Sequence, residues 1–170
     1  MTAVLVGYAS VHGSTAEIAE RIGDRIAGHG VDTRTAALET VGEAGPYEAF
    51  VLGSAVHDQA WLPAATEFVR AHQALLIRRP VWIFSVGMPA ALRGIWRPLA
   101  RVEEPRVTAE LRAVLHPRGH ALFSGAIAPE HLGASGRLVF RAMGLRYGDY
   151  RDWAAVDAFA DAVARSLADG

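Results

Sequence analysis

The chain contains no cysteine and no lysine: all seventeen basic side chains among its 170 residues are arginine. The first absence excludes disulfides, thiolate nucleophiles, iron–sulfur clusters and cysteine-based zinc sites. The second excludes a Schiff-base lysine and the lysine of a nucleoside-triphosphate phosphate loop. The seven histidines are scattered singly, so no metal site is expected. No apolar stretch reaches the roughly 18 residues that a membrane-spanning helix needs. The chain runs straight into TAVLVGYA without a basic leader, which leads to the expectation of a cytoplasmic location. With a formal net charge of −1, no nucleic-acid partner is expected either. Redox or group-transfer chemistry, on this inventory, has to come largely from a bound cofactor.

What is present points to an ordered α/β protein. The composition is 51% apolar and 21% charged, and the length suits one domain spanning 1–170. Apolar runs rich in Val and Leu recur at 3–9, 49–54, 80–86 and 120–127, and HGVDTRTAAL adds a short strand after a turn at Gly30. Between them the period is helical. Ile18, Ile22 and Ile26 form one stripe opposite Glu17, Glu20, Arg21, Asp24 and Arg25, and the stretch from Trp61 to Leu76 reads as one helix with Trp61 on its apolar side. A last helix follows Asp152, a plausible N-cap, and carries Trp153, Val156, Phe159, Ala160, Val163 and Leu167. Strands alternating with helices predict a doubly wound, five-stranded parallel sheet with helices on both faces. In such sheets ligands bind beyond the carboxyl ends of the strands, so the loops at 9–15, 54–61 and 85–93 are the places to inspect.

The first of these, YASVHGSTAEIAERI, leaves a strand through hydroxyl-bearing residues and enters a helix. A helix N-terminus offers unpaired N–H groups and the positive end of the helix dipole to an anion. Ser10, Ser14 and Thr15 supply hydroxyl donors, and Gly13 lets the backbone curl close to a ligand. GxGxxG is absent, and hydroxyls in place of glycines suit a terminal monophosphate better than a pyrophosphate bridge. Ser14 followed by Glu17 also matches an ordinary capping box, a reading that needs no ligand.

SVHGST resembles the phosphate loop of flavodoxins, whose usual form is [ST]-x-T-G-x-T, matching at Ser10, Gly13 and Thr15 and departing at His12. VLGSAVHDQAWLP at 51–63 and FSVGMPAAL at 84–92 resemble the second and third flavin loops of that superfamily. With GDYRDW at 148–153, the chain looks most like the bacterial flavodoxin-like family that includes menaquinone-dependent protoporphyrinogen dehydrogenase. The resemblance implies a strand order of 2-1-3-4-5 and a noncovalently bound FMN. Its phosphate would lie on Ser10, Val11, His12, Gly13, Ser14 and Thr15, through the His12 backbone N–H alone or through its ring. The ring system would lie between Ser54, Ala55, Val56 and His57 on one side and Ser85, Val86, Gly87 and Met88 on the other. Trp61 either covers the flavin or belongs to the apolar stripe, and His57 either contacts flavin or substrate or is solvated.

No side chain is assigned catalysis, since flavin chemistry needs no protein nucleophile. The resemblance implies an FMN-dependent oxidoreductase acting on a quinone or a small aromatic or porphyrin-like substrate. The alternative is an electron carrier serving a redox protein partner. Carriers of this kind are characteristically very acidic, whereas this chain is near neutral. From 78 to 118 there are eight Arg (78, 79, 93, 97, 101, 106, 112, 118) against three Glu (103, 104, 110). That basic stretch suits an anionic substrate, with Arg93 and Arg97 as its candidate contacts, or peripheral contact with an acidic membrane surface. RLVFRAMGLRYG reads as a short basic amphipathic helix that either touches a membrane or covers the core.

Overall fold

The computed structural model describes residues 3–57, 60–87, 108–142 and 144–169. Consecutive residues of the first apolar run, Val4, Leu5 and Val6, are all fully buried, which requires that strand β1 (Ala3–Ala9) be covered on both faces. The same holds for β3 (Ala49–His57) and β5 (Val81–Gly87), the strands beside it in the sheet interior. With β2 (Asp32–Ala37) at one edge and β6 (Gly119–Ser124) at the other, the sheet order is β2-β1-β3-β5-β6, parallel throughout. Counting these principal strands alone, this is the expected 2-1-3-4-5. The order reverses between β1 and β3, which places the switch point at the carboxyl end of β1.

Side-chain alternation splits the core in two. Leu5, Phe50, Leu52 and Ile83 face α2 (Pro63–Leu76) and the helix over 108–115, α3, through Ala65, Phe68, Leu76, Leu111 and Leu115. Val4, Val6, Val51 and Phe84 face α1 (Ser14–Gly28) and a C-terminal helix over Trp153–Ala168, through Ile18, Ile22, Ile26, Val156, Ala160 and Val163. The Phe84 ring lies against Gly53, its partner in register, where an added Cβ would stand 2.0 Å from Cζ.

The helix after β3 begins at Pro63, two residues later than the periodicity predicts. Trp61 instead belongs to a short strand, β4 (Ala60–Trp61), which turns back antiparallel on β3 and pairs Trp61 with Val56. Proline fits the first helical turn because its missing N–H has no intrahelical partner there. The 120–127 run likewise divides, into β6 and β7 (Ala126–Ile127), and β7 pairs with β8 (Gly148–Asp149) in a small separate sheet. Helix α4 (Ala134–Ala142) buries only Phe140, stacked on Tyr147, and leaves Leu138 and Val139 exposed.

The polar stripe of α1 is tied to the C-terminal helix, α5 (Trp153–Ala168). Arg21 pairs with Asp157, and Arg25 with Asp161, both through Nε–Oδ1 contacts of 2.7 Å; His29 Nε2 lies 2.9 Å from Asp161 Oδ1. Arg21 holds the Asp157 carboxyl below its ordinary range, and Arg25, then His29, hold that of Asp161 lower. Among the described residues no helix is long and apolar enough to cross a membrane.

Candidate functional site

The corner between β1 and α1 is built around Gly13. Its φ of 92° lies in the left-handed region, which glycine enters without a Cβ penalty, and nothing lies within 4 Å of where a Cβ would stand. Gly13 occupies the N-cap position, and no side chain caps the helix. The capping box suggested by Ser14 and Glu17 therefore does not form: Ser14 is already the first helical residue, and the Glu17 carboxylate accepts from Arg151 instead. The N–H groups of Ser14, Thr15 and Ala16 head the helix without intrahelical acceptors, while the Glu17 N–H reaches Gly13 O at 3.0 Å. Ser10 Oγ accepts the Gly13 N–H at 3.1 Å and so retains a hydroxyl proton for an outside acceptor.

The other strand ends close on this corner. A Cβ at Gly125, just beyond β6, would lie 3.0 Å from Ser14 Oγ and 3.2 Å from Val86 Cγ1. The Gly125 N–H donates to Gly87 O at 2.9 Å, and Gly125 O accepts the Tyr150 N–H at 3.2 Å. Ser14, at the start of α1, and Val86 and Gly87, at the end of β5, thus meet at Gly125 although they are far apart in the sequence. Met88, Arg93 and Arg97 lie outside the described residues, as does the rest of 88–107.

Ser54, Trp61 and Ser85 serve the chain's own architecture. Ser54 is fully buried; its Oγ accepts the Leu62 N–H at 2.9 Å and donates to Ala55 O at 2.8 Å. Trp61, 5% exposed, donates its indole N–H to Ser85 Oγ at 2.8 Å. These bonds fix the β3–β4 hairpin against β5 and leave Ala55 and Val56 partly exposed and His57 exposed at the strand tip. Val11 and His12 are exposed on the first loop.

Two features escape a reading of the sequence. His131, in a single 3-10 turn over Pro129–His131, stacks on His12 with ring centroids 4.1 Å apart and planes 6° from parallel. Partial desolvation, then the charges of His131 and His57, push the His12 ring below its ordinary pKa. Arg151 reaches from GDYRDW to the first turn of α1: it pairs with Glu17, grips Asp149 through Nε at 2.9 Å and Nη2 at 2.6 Å, and lies 4.8 Å above the Trp153 ring. Its side chain is 13% exposed, and the hydrogen bonds it donates to Asp149 hold its guanidinium charge firmly. Asp152 accepts the Ala155 N–H at 3.0 Å, the expected cap of α5. Nothing in local spacing signals the His12–His131 meeting, since 119 positions separate the two histidines.

His116 and His120 stand four apart, but one follows α3 and the other is in β6, so the spacing does not place them on one helical face. Among the described residues no group of three or more His, Asp or Glu side chains is arranged to hold a metal ion. A cavity of about 290 Å³, lined by residues including His29, Asp32 and Arg165, lies at the opposite, amino end of the strands. It lacks the helix N-terminus and strand tips that make the other end suited to an anionic ligand.

A parallel sheet of order 2-1-3-4-5 whose switch point carries an uncapped, hydroxyl-lined helix start defines a doubly wound α/β protein. The sequence matches the flavodoxin domain model over residues 5–152, and the chain belongs to that family. No curated protein matches the sequence. Among solved structures, similarity extends to the rubredoxin oxygen:oxidoreductase of the anaerobe Desulfovibrio gigas, at 14% identity and a TM-score of 0.65, covering 98% of this chain and 36% of that one. This chain thus spans about a third of that protein's length. A short-chain flavodoxin associated with a non-canonical PDU bacterial microcompartment matches at 12% identity and a TM-score of 0.60, covering 98% and 99% of the two chains. The flavodoxin of Streptococcus pneumoniae TIGR4 matches at 14% identity and 0.55, again over 98% and 99%. At these identities the likeness is one of fold.

Proposed function

We propose that this chain is an FMN-binding electron-transfer domain, 1–170, that exchanges electrons with a redox protein partner. The observation that carries the reading is the start of α1: an uncapped helix N-terminus, a left-handed Gly13 and the hydroxyls of Ser10, Ser14 and Thr15, all at the switch point of a flavodoxin-family sheet. The chemistry of this donor set fits a phosphate. The N–H groups of Ser14, Thr15 and Ala16 and the hydroxyls of Ser10 and Ser14 would hold it, with Val11, His12 and Gly13 shaping the loop. Thr15 is 1% exposed, so its contribution is largely to the floor of the loop.

FMN, when bound, supplies reversible electron uptake at its ring system. The chain's own part is to fix and desolvate the ring's surroundings. The tips of β3 and β5, Ala55 to His57 and Val86 to Gly87, would flank it, extended by Met88. Ser54, Ser85 and Trp61 act one layer below, holding those tips in place through the bonds already described. The flavodoxins among its structural neighbours support the protein-partner reading over the quinone or porphyrin one. The oxidoreductase reading, of the protoporphyrinogen dehydrogenase type, draws on the near-neutral charge and on the arginine excess across 78–118, including Arg93 and Arg97.

The test is a titration of the purified chain with FMN, followed by visible absorption and thermal unfolding. A saturating ligand at a hundredfold its Kd should stabilise the native state by about 2.7 kcal/mol. No colour and no rise in Tm would end the flavin reading. With FMN bound, reduction of a protein partner that slows steeply with ionic strength marks a carrier, whereas rapid, salt-insensitive quinone turnover marks the oxidoreductase.

A further inference from the structure

The His12–His131 stack joins the phosphate loop to a turn that no flavin loop includes. His131 Nδ1 accepts the Ala128 N–H at 3.2 Å, which leaves Nε2 as the ring's donor nitrogen. Two parallel imidazoles 4.1 Å apart accept at most one positive charge comfortably, because a second would face the first across the stack. Among the described residues, the groups whose charge acts on His12 are His131 from the 3-10 turn and His57 from the tip of β3, both of them bases. Glu17, the acidic residue in the first turn of α1, is taken by Arg151. The pair therefore stands ready to take one proton; Glu130, beside His131 in the 3-10 turn, is exposed, and no carboxylate among the described residues is among the charges that act on His12.

We infer that the stacked His12–His131 pair is a specificity device of the phosphate corner, in which His131 positions His12 to take up one proton as a phosphomonoester dianion binds. This rests on the flavin reading above. A dianion seated at the start of α1 supplies a counter-charge to the stack, so the proton settles on His12 and the phosphate gains a charge-assisted hydrogen-bond donor. Affinity for FMN then rises as pH falls, with a slope of up to about tenfold per pH unit between the bound and free His12 values. Riboflavin, which has no phosphate, has no such slope. His131 acts through His12 and is a positioning residue.

The experiment measures the Kd of the full chain for FMN and for riboflavin between pH 8 and 6.5, with NMR titration of the His12 ring in parallel. The expected result is FMN binding that tightens at least threefold across that range while riboflavin binding stays flat, together with a His12 titration that moves upward on adding FMN. In His131→Ala the His12 ring of the free protein should titrate higher than in the wild type, and the FMN slope should shrink; in His12→Asn the slope should vanish. FMN binding with a flat pH profile, or a His12 titration indifferent to both FMN and His131→Ala, overturns the inference while leaving the flavin reading in place. Failure of FMN to bind at any of these pH values removes the flavin reading and the inference with it.

Discussion

Replacing Trp61 by Phe separates the two roles open to this residue. Its indole N–H is bonded to Ser85 Oγ at 2.8 Å, with Trp61 5% and Ser85 1% exposed, so no water replaces the lost donor freely. Orphaning a buried acceptor costs about 1–3 kcal/mol. The smaller ring also leaves a void of a few tens of Å³, worth roughly 1 kcal/mol at about 24 cal/mol per Å³. The expected loss is therefore about 2–4 kcal/mol, which for a domain of this size lowers Tm by roughly 5–15 °C. Urea and thermal denaturation followed by far-ultraviolet circular dichroism measure it. The double variant Trp61→Phe/Ser85→Ala no longer carries the stranded hydroxyl, so it should be more stable than the sum of the single effects by about 1 kcal/mol. A single variant within ~0.5 kcal/mol of the wild type, or strict additivity in the double, would refute the structural tie and return Trp61 to the flavin as its cover.

Other outcomes follow from the same corner. Gly125→Ala places a methyl 3.0 Å from Ser14 Oγ; a fluorescence titration should show FMN binding weakened several-fold, and unchanged binding would mean that this hydroxyl is not at the phosphate. Gly13→Ala meets no neighbour but must hold φ near 92°, so chemical denaturation should show a loss of about 1 kcal/mol or more from backbone strain alone. Arg151 depresses the Asp149 carboxyl in the folded state, so its stabilisation is present above about pH 4 and is lost as pH falls through the folded value. Arg151→Gln should therefore lower Tm at pH 6 and shallow the decline below pH 4; parallel curves would contradict this linkage. Asp161→Asn removes both Arg25 and His29 from an exposed pairing, and its effect on Tm should shrink at 1 M salt, where a persistent difference would point to packing instead.

Much of the architecture is written in local pattern. Strands buried on both faces read as unbroken apolar runs, and α1 and α5 carry stripes whose period leaves one interpretation, so the layer arrangement was within reach, whereas the strand order came only from the resemblance to flavodoxins. The misread start of α2 has a physical cause: Trp61 is apolar at a helical spacing, yet Pro63 sets the first turn and the two-residue β4 is too short to show a period. The site divides in the same way. Ser10, Gly13 and Ser14 are contiguous, and their meaning follows from a strand-turn-helix context. His131, Gly125 and the Arg151–Glu17 link reach the corner only through tertiary packing, at separations where spacing carries no information. The rule pairing Ser14 with Glu17 as a cap failed because Gly13, not Ser14, takes the N-cap position, and the Glu17 carboxylate accepts from Arg151, 134 positions away.

That long reach also sets an order of events during synthesis. Arg151 leaves the ribosome 134 residues after Glu17, so the leading turn of the first crossover emerges unfastened and stays so while the intervening residues are made. That turn is fastened only once Arg151 has packed against it. A nascent chain halted before residue 148 would present the hydroxyl loop without the guanidinium that steadies the first turn of α1.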